Sequence, residues 1–341
     1  MKRHTKRKLW HDRRCRRMQV KKKSKSHKES RLTVNSHKES KNVYIAEAPQ
    51  KFSFVNNTED TIKYFVDIIE QIKKRNYKQL FFLDSKKVDF VTTDALVYVL
   101  AVLYNIKNSI LMKYSFKGNL PEDEYAKKVY LESGFMNYVK TKLSMMPKTN
   151  DKIQILCGTK TDPIVAGQIC DFVNKRFNTD YKFTLDLYKT LIELMSNTVH
   201  HAYDENSITR PCWYIYAIDI GSSIQFAFID TGLGIPSTVK RRLLENIVPF
   251  TTTDSKLIYS AFLGESRTET GLYNRGHGLP ALYKKVLNGQ LRNFFVLSGK
   301  GCCKSVEINN KIELEKLDYE NEVFGTIFQF EIVKIKEVIA C

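Results

Sequence analysis

The sequence lacks a hydrophobic run that could cross a membrane, and its N-terminus lacks an apolar stretch. The longest apolar run, residues 95–104, is about half as long as a membrane-spanning helix requires. No apolar stretch follows the basic first residues, whereas a secretory signal peptide requires one. We therefore expect a cytoplasmic protein without a membrane partner.

Paired cysteine spacing is also missing. The seven cysteines are odd in number and form no CxxC pair, which disfavours both a disulfide framework and a zinc site. We expect these residues to be reduced thiols.

Acidic residues are scarce in one segment only. Residues 1–41 hold 17 Lys/Arg and 3 Asp/Glu, and so carry +14 of the formal charge of +18. The segment has few aliphatic residues and repeats SHKES at 26–30 and 36–40, which predicts a disordered basic tail. Such a tail could bind the phosphates of a nucleic acid without sequence preference, or it could only improve solubility. Its composition leaves both interpretations open.

What the rest of the chain contains is enough apolar material for folded cores, with 43% hydrophobic and 12% aromatic residues overall. Residues 42–145 alternate short apolar strands with amphipathic helices. They predict a strand at Leu80–Asp84, a helix beginning at Thr93 or Asp94 and another helix at 122–132. This alternation is typical of a small α/β domain.

The segments LFFLDSKKVDFVTTDAL and GNLPEDEYAKKVYLESGF resemble the STAS domain of anti-sigma-factor antagonists, over about residues 50–140. The resemblance places Thr92 or Thr93 where the antagonists are phosphorylated. We do not expect phosphorylation here, because the match depends on pattern rather than on a signature.

A helix predicted at 185–203 carries an unusual polar face. In ELMSNTVHHAY, Glu193, Asn197, His200 and His201 project from one side. The opposite side is apolar, formed by Leu187, Leu191, Leu194, Met195 and Val199. Short functional side chains in place of a solvated Lys/Glu mixture indicate the wall of a pocket.

Three more motifs follow this helix in residues 153–335. A hairpin turning at Gly221-Ser222 ends in Asp230-Thr-Gly232-Leu-Gly234, the sequence Gly276-His277-Gly278-Leu279 opens a helix, and Gly325-Thr326 precedes a strand at 327–333. Other strands are predicted at 293–298 and 304–309, and a further helix at 163–177. Each motif alone is weak evidence for a function.

Together and in this order, the four motifs resemble the N, G1, G2 and G3 boxes of the GHKL (Bergerat-fold) ATPases, over about residues 155–333. The group includes gyrase, MutL and histidine kinases, and ELMSNTVHHAY most resembles the N box of anti-sigma serine kinases. The resemblance implies an α/β protein whose ATPase domain is an α+β two-layer sandwich. The G2 motif is shorter than in many relatives, and the phosphoacceptor pattern of histidine kinases is missing.

The resemblance also implies the cofactors ATP and Mg²⁺ and a role for each motif. Glu193 would be the catalytic base, and Asn197 would bind Mg²⁺. Asp230 would accept a hydrogen bond from adenine, with support from Thr326. The remaining nucleotide-binding positions would be His201, Gly232, Gly234, Arg275, Gly276, His277, Gly278 and Leu279, and residues 250–275 would form a mobile lid.

Three functions remain open at this point. ATP binding with slow hydrolysis could drive a conformational switch, which in gyrase and MutL includes dimerisation and here could include a homodimer. The chain could instead be a Ser/Thr protein kinase of the anti-sigma type, whose partner is another protein or its own STAS-like domain. It could also be a nucleic-acid-binding regulator, acting through residues 1–41 and gated by ATP.

Overall fold

Helices alternate with strands along the chain, and the strands form both parallel and antiparallel sheets, so the fold is of the mixed α and β class. The computed structural model describes residues 43–74, 80–109, 115–139, 150–201, 212–244, 252–265 and 278–333. The predicted tail, most of the linker at 142–152 and three of the predicted site residues, Arg275, Gly276 and His277, lie outside these ranges.

Residues 43–139, called the first half below, form a parallel sheet of three strands in the order β1-β3-β5. Its elements are β1 Val43–Glu47, β2 Lys51–Phe52, α1 Thr58–Lys74, β3 Leu80–Asp84, β4 Phe90–Val91, α2 Thr93–Ser109, β5 Ser115–Gly118 and α3 Glu124–Glu132, then a 3₁₀ turn at Phe135–Asn137. The short strands β2 and β4 pair separately. The predicted strand at 80–84 and the predicted helix start at Thr93 are both confirmed.

The second half forms an antiparallel sheet of five strands in the order β6-β7-β8-β10-β9. Its elements are β6 Lys152–Gly158, α4 Pro163–Phe177, α5 Tyr181–His201, β7 Trp213–Asp219, β8 Ser223–Asp230, α6 Ile235–Leu244, α7 Asp254–Leu263, α8 Gly278–Leu287, β9 Leu291–Ile308 and β10 Lys311–Val333. The hairpin turn at Gly221-Ser222 is confirmed.

Local capping sets where helices α4 and α5 begin. The Asp162 side chain accepts hydrogen bonds from the N–H groups of Ile164 and Val165, and Pro163 occupies the first turn, so α4 has the predicted bounds. Helix α5 begins four residues before the predicted position of 185. The reason is that the carboxylate of Asp180 accepts from the N–H of Phe183 at 2.6 Å and caps an additional turn.

The β9–β10 hairpin is longer than predicted. The prediction of three separate short strands is wrong, because β9 is continuous over 18 residues and β10 over 23. Asn309 and Asn310, both with positive φ, form the two-residue turn, as expected for a tight hairpin. The glycines near 300 and at 325 interrupt the apolar pattern without ending the strands.

The five-stranded sheet is covered on both faces. On one face, α4, α5, α7 and α8 bury an apolar layer that includes Trp213, Phe226 and Phe228. On the other face, α1 and α2 pack against a second set that includes Tyr214, Ile229 and Ile327. The expected two-layer sandwich therefore describes the second half taken alone, and the first half adds a third layer.

The first half also hydrogen-bonds to the edge strand β6. The N–H of Ile155 donates to the carbonyl of Ser133 at 2.9 Å, and the hydroxyl of Tyr138 donates to the carbonyl of Ile155 at 2.7 Å. Lys152 and Glu132 form an ion pair of 2.6 Å. The described residues from 43 to 333 accordingly form one compact unit. Among the helices of the described ranges, none is long and apolar enough to span a bilayer.

Candidate functional site

Helix α5 presents the predicted polar face beside a buried apolar stripe. Leu187, Leu191, Leu194 and Met195 are buried against the sheet. Glu193 is exposed and Asn197, one turn later, is half-buried. His201 is the last residue of the helix, but its side chain and that of His200 lie outside the described residues.

Glu193 lies against the first residue of α8. A Cβ atom added to Gly278 would be 2.7 Å from Oε2 of Glu193 and 3.2 Å from its Cβ. A larger residue at 278 would therefore displace the Glu193 side chain or the helix start. The fold thus brings together the predicted N motif and the described end of the G2 motif, with a carboxylate beside the N–H groups of a helix N-terminus, where negative charge is favoured. Leu279 is half-buried and packs into the helix-side core.

Asp230 ends β8, and its carboxylate is held from two sides. Its Oδ1 accepts from the N–H of Gly232 at 2.7 Å. Thr326, its cross-strand partner on β10, contributes a side-chain hydrogen bond. Burial raises the pKa of Asp230 to about 6, and the hydrogen bonds from Gly232 and Thr326 oppose this rise only in part. At neutral pH the carboxylate is largely ionised and can accept further hydrogen bonds.

A serine extends this pair into a polar row across three strands. Thr326 pairs with Asp230 on one side and with Ser298 on the other. The hydroxyl of Ser298 donates to the carbonyl of Gly325 at 2.8 Å and accepts from the N–H of Ile235 at 2.9 Å. Ser298 was not among the predicted site residues, although a serine at the end of the apolar run FFVL was a weak indication of it.

Two glycines permit the close packing of this row. Gly234 and Gly325 have φ of +82° and +72°, values that favour glycine. A Cβ on Gly234 would be 2.8 Å from Oγ of Ser298, and a Cβ on Gly325 would overlap the carbonyl oxygen of Asp230. The predicted G1 and G3 motifs are therefore in direct contact.

Both groups of residues belong to the face of the sheet that α4, α5, α7 and α8 cover. Side chains alternate between faces along a strand, so Asp230 lies on the same face as Phe228, and Thr326 on the same face as Phe328. Phe228 and Phe328 pack in one cluster with Leu194 and Met195 of α5. The polar row thus continues the apolar layer that α5 covers.

The predicted lid is partly a packed helix. Leu257, Ile258 and Phe262 of α7 are buried. At its start, Asp254 accepts from the N–H of Lys300 at 2.9 Å and pairs with Lys240 at 2.7 Å. The prediction of an irregular segment is therefore wrong for residues 254–263, whereas the lid role stays a prediction, and residues 250–251 and 266–275 of the predicted lid lie outside the described chain.

The arrangement offers a recessed acceptor at one point and an exposed carboxylate beside a helix N-terminus at another. Within the part of the chain that the structure describes, no cluster of three or more His, Cys, Asp or Glu side chains could hold a metal ion. A cavity of about 540 Å³ lies elsewhere, between α1, α2 and the irregular part of β10 at 320–324.

Comparison of the chain with known protein families finds no matching family, and comparison with curated proteins finds no matching protein. The arrangement of residues therefore carries the functional inference.

Proposed function

We propose that residues 150–333 bind Mg·ATP on the face of the five-stranded sheet that α4, α5, α7 and α8 cover, and use binding or slow hydrolysis as a conformational switch. One observation carries the proposal: the carboxylate of Asp230 is fixed by the N–H of Gly232 and by Thr326. The motifs that supply these residues are far apart in sequence, and each was predicted to contribute to one nucleotide site.

Asp230 suits the recognition of adenine. A carboxylate can accept about four hydrogen bonds, and the contacts with Gly232 and Thr326 use only part of this capacity. An exocyclic amino group could therefore donate to the remaining positions. Because Asp230 is largely removed from water, a purine ring without such a donor would leave the charge of Asp230 uncompensated.

The phosphates would lie towards α5 and α8. The N–H groups at the start of α8 favour anions, and the predicted residues 275–277 immediately precede them in sequence. The carboxamide oxygen of the half-buried Asn197 is a hard ligand that suits Mg²⁺. With few protein ligands nearby, the ion would take its other ligands from phosphate and water, and it would neutralise phosphate charge.

Glu193 would hold or accept the proton of the attacking group. It is exposed and lies one helical turn before Asn197, beside the start of α8. A base in this position could serve water, giving hydrolysis, or the hydroxyl of a protein substrate. This exposure is the observation that keeps a Ser/Thr protein kinase as the second candidate.

The first test is binding of Mg·ATP to the full chain by isothermal titration calorimetry. We expect Asp230→Asn to lose at least about tenfold in affinity, as for a lost charge-assisted hydrogen bond of 1.5–3 kcal/mol. Asp219→Asn is the matched control, because Asp219 lies at the far end of the same hairpin. Equal affinities for the wild type and Asp230→Asn would refute the proposal.

The second test follows γ-labelled ATP in the same preparations. Glu193→Gln should keep ATP affinity within about twofold but lose most of the turnover. Release of free phosphate by the wild type would favour the switch, and label on protein would favour the kinase. Unchanged turnover in Glu193→Gln would remove Glu193 from the chemistry.

A further inference from the structure

Strand β10 contains an irregularity at the start of the predicted G3 motif, Gly325-Thr326. Its pairing with β9 passes from Val323 opposite Gly299 to Thr326 opposite Ser298. Phe324 and Gly325 are therefore extra residues of a β-bulge, without a partner in this ladder. Buried backbone groups need a hydrogen-bond partner, and a bulge at this point must be held in shape by something outside the ladder.

The partner of Phe324 is a side chain from the first half of the chain. The hydroxyl of Tyr98, on α2, accepts from the N–H of Phe324 at 3.0 Å and donates to its carbonyl at 3.2 Å. One phenol thus satisfies both backbone groups of the bulged residue. Tyr98 is only 1% exposed, so water does not compete for these bonds.

The ring of Tyr98 is fixed by aromatic neighbours. Its centroid lies 4.7 Å from that of Phe65, 5.0 Å from that of Phe54 and 5.1 Å from that of Phe324. Phe65 is on α1 and Phe54 precedes it, so the hydroxyl is positioned by the packing of the first half. The position of the bulge therefore depends on α1 and α2.

The bulge in turn contacts the predicted adenine acceptor. Gly325 packs on the backbone of Asp230, and its carbonyl accepts from Ser298. Thr326 bonds to the Asp230 carboxylate. The charge of Asp230 also influences the pKa of Tyr98. Burial raises the pKa of the phenol well above its usual range, and the negative charge of Asp230 adds to the rise.

We propose that Tyr98 is a positioning residue that makes nucleotide affinity depend on the packing of residues 43–139. Its hydroxyl holds the bulge at Phe324 and Gly325, and the bulge sets Thr326 against Asp230. A protein that binds residues 43–139 and shifts α2 would change ATP affinity, and ATP would change the affinity for that protein by the same factor. This inference rests on the proposed function.

The test compares two tyrosine hydroxyl deletions in the full chain. Tyr98→Phe keeps the ring but removes the hydroxyl that bonds to the N–H and the carbonyl of Phe324. Tyr130→Phe is the control, because Tyr130 is also buried and its hydroxyl bonds to Ser85, within the first half and away from β10. Calorimetry should give about tenfold weaker ATP binding for Tyr98→Phe and a change below about twofold for Tyr130→Phe.

Hydrogen exchange provides a readout that does not depend on ATP. The amides of Phe324 and Gly325 should exchange at least about tenfold faster in Tyr98→Phe than in Tyr130→Phe. Unchanged exchange at these amides would overturn the inference. So would equal ATP affinities of the two variants, provided that the wild type binds ATP and Asp230→Asn binds it at least about tenfold more weakly. If the wild type itself does not bind ATP, the proposed function fails and the link to affinity falls with it, while the exchange rates still show whether Tyr98 holds the bulge.

Discussion

Asp230 combines two requirements that oppose each other. A buried carboxylate loses hydration, which costs free energy, whereas a charged acceptor recognises an amino group strongly. The hydrogen bonds from Gly232 and Thr326 reduce the cost without removing it, since the pKa remains raised at about 6. Asp230 therefore lowers the stability of the fold at neutral pH.

This conflict predicts how stability changes with pH. The pKa of Asp230 rises from its ordinary value of 3.8 to about 6 on folding, so its stabilising contribution is complete below about pH 4 and is lost as the pH rises through 6. At pH 7 the ionised group costs up to about 3 kcal/mol. Asp230→Asn should thus gain stability over the wild type between pH 4 and pH 7, by up to this amount. Urea unfolding at several pH values checks it, and a pH-independent difference would contradict it.

Single residues of the site differ in how far the sequence could predict them. Five site residues were predicted because each belongs to a local motif. The fold brings Asp230, Gly232 and Thr326 together in one group, and Glu193 and Gly278 together in another. Ser298 and Tyr98 belong to no motif. Their roles depend on strand register and on packing between the two halves, which local sequence does not encode.

At the scale of elements, helix starts were predictable and the strands of the long hairpin were not. Asp162-Pro163 is a strong local start signal, and α4 begins there. In β9 and β10 the glycines at 299, 301 and 325 resemble strand ends. They are tolerated because α7 and β8 approach the backbone there: a Cβ at Gly301 would overlap Ser255, and one at Gly325 would overlap Asp230.

The close approach at Gly325 predicts that two glycine substitutions lower the free energy of unfolding by unequal amounts. Gly325 and Gly221 both have positive φ, but only Gly325 has a backbone neighbour where its Cβ would be, since nothing lies within 4 Å at Gly221. Gly221→Ala should cost about 1–2 kcal/mol in backbone strain. Gly325→Ala should cost at least about 3 kcal/mol, because β8 and β10 must separate. Urea unfolding measures both, and equal losses would show that the approach to Asp230 is not tight.

At the scale of the whole molecule, the two halves share one of the two large hydrophobic clusters. Ile62, Phe65 and Leu96 of the first half are buried in the same cluster as Tyr214 and Ile229 of the five-stranded sheet. Interfaces of this kind behave as a continuous core and not as a weak contact between domains. A change in the first half can therefore reach β10.

Charge is distributed differently from this core. Residues 1–41 carry +14 of the +18, but the remaining 300 residues are close to neutral. All the residues proposed to bind ATP lie between 193 and 326. The basic segment can attract a polyanion over a distance of about a Debye length, roughly 8 Å at physiological salt, but it supplies none of the side chains that form the site.

Deletion of residues 1–41 should therefore separate two properties of the chain. Calorimetry should give ATP affinity and turnover within about twofold of the full chain, because the groups around Asp230 and Glu193 remain. If the full chain binds DNA or RNA, the truncated chain should bind it at least about a hundredfold more weakly at low salt, and the dependence of binding on salt should become shallower as fewer counterions are released. Replacing the segment with a neutral Gly/Ser sequence of equal length controls for length. Nucleic-acid binding that survives the deletion undiminished would assign the contact to residues 42–341 and exclude the tail as the nucleic-acid-binding segment.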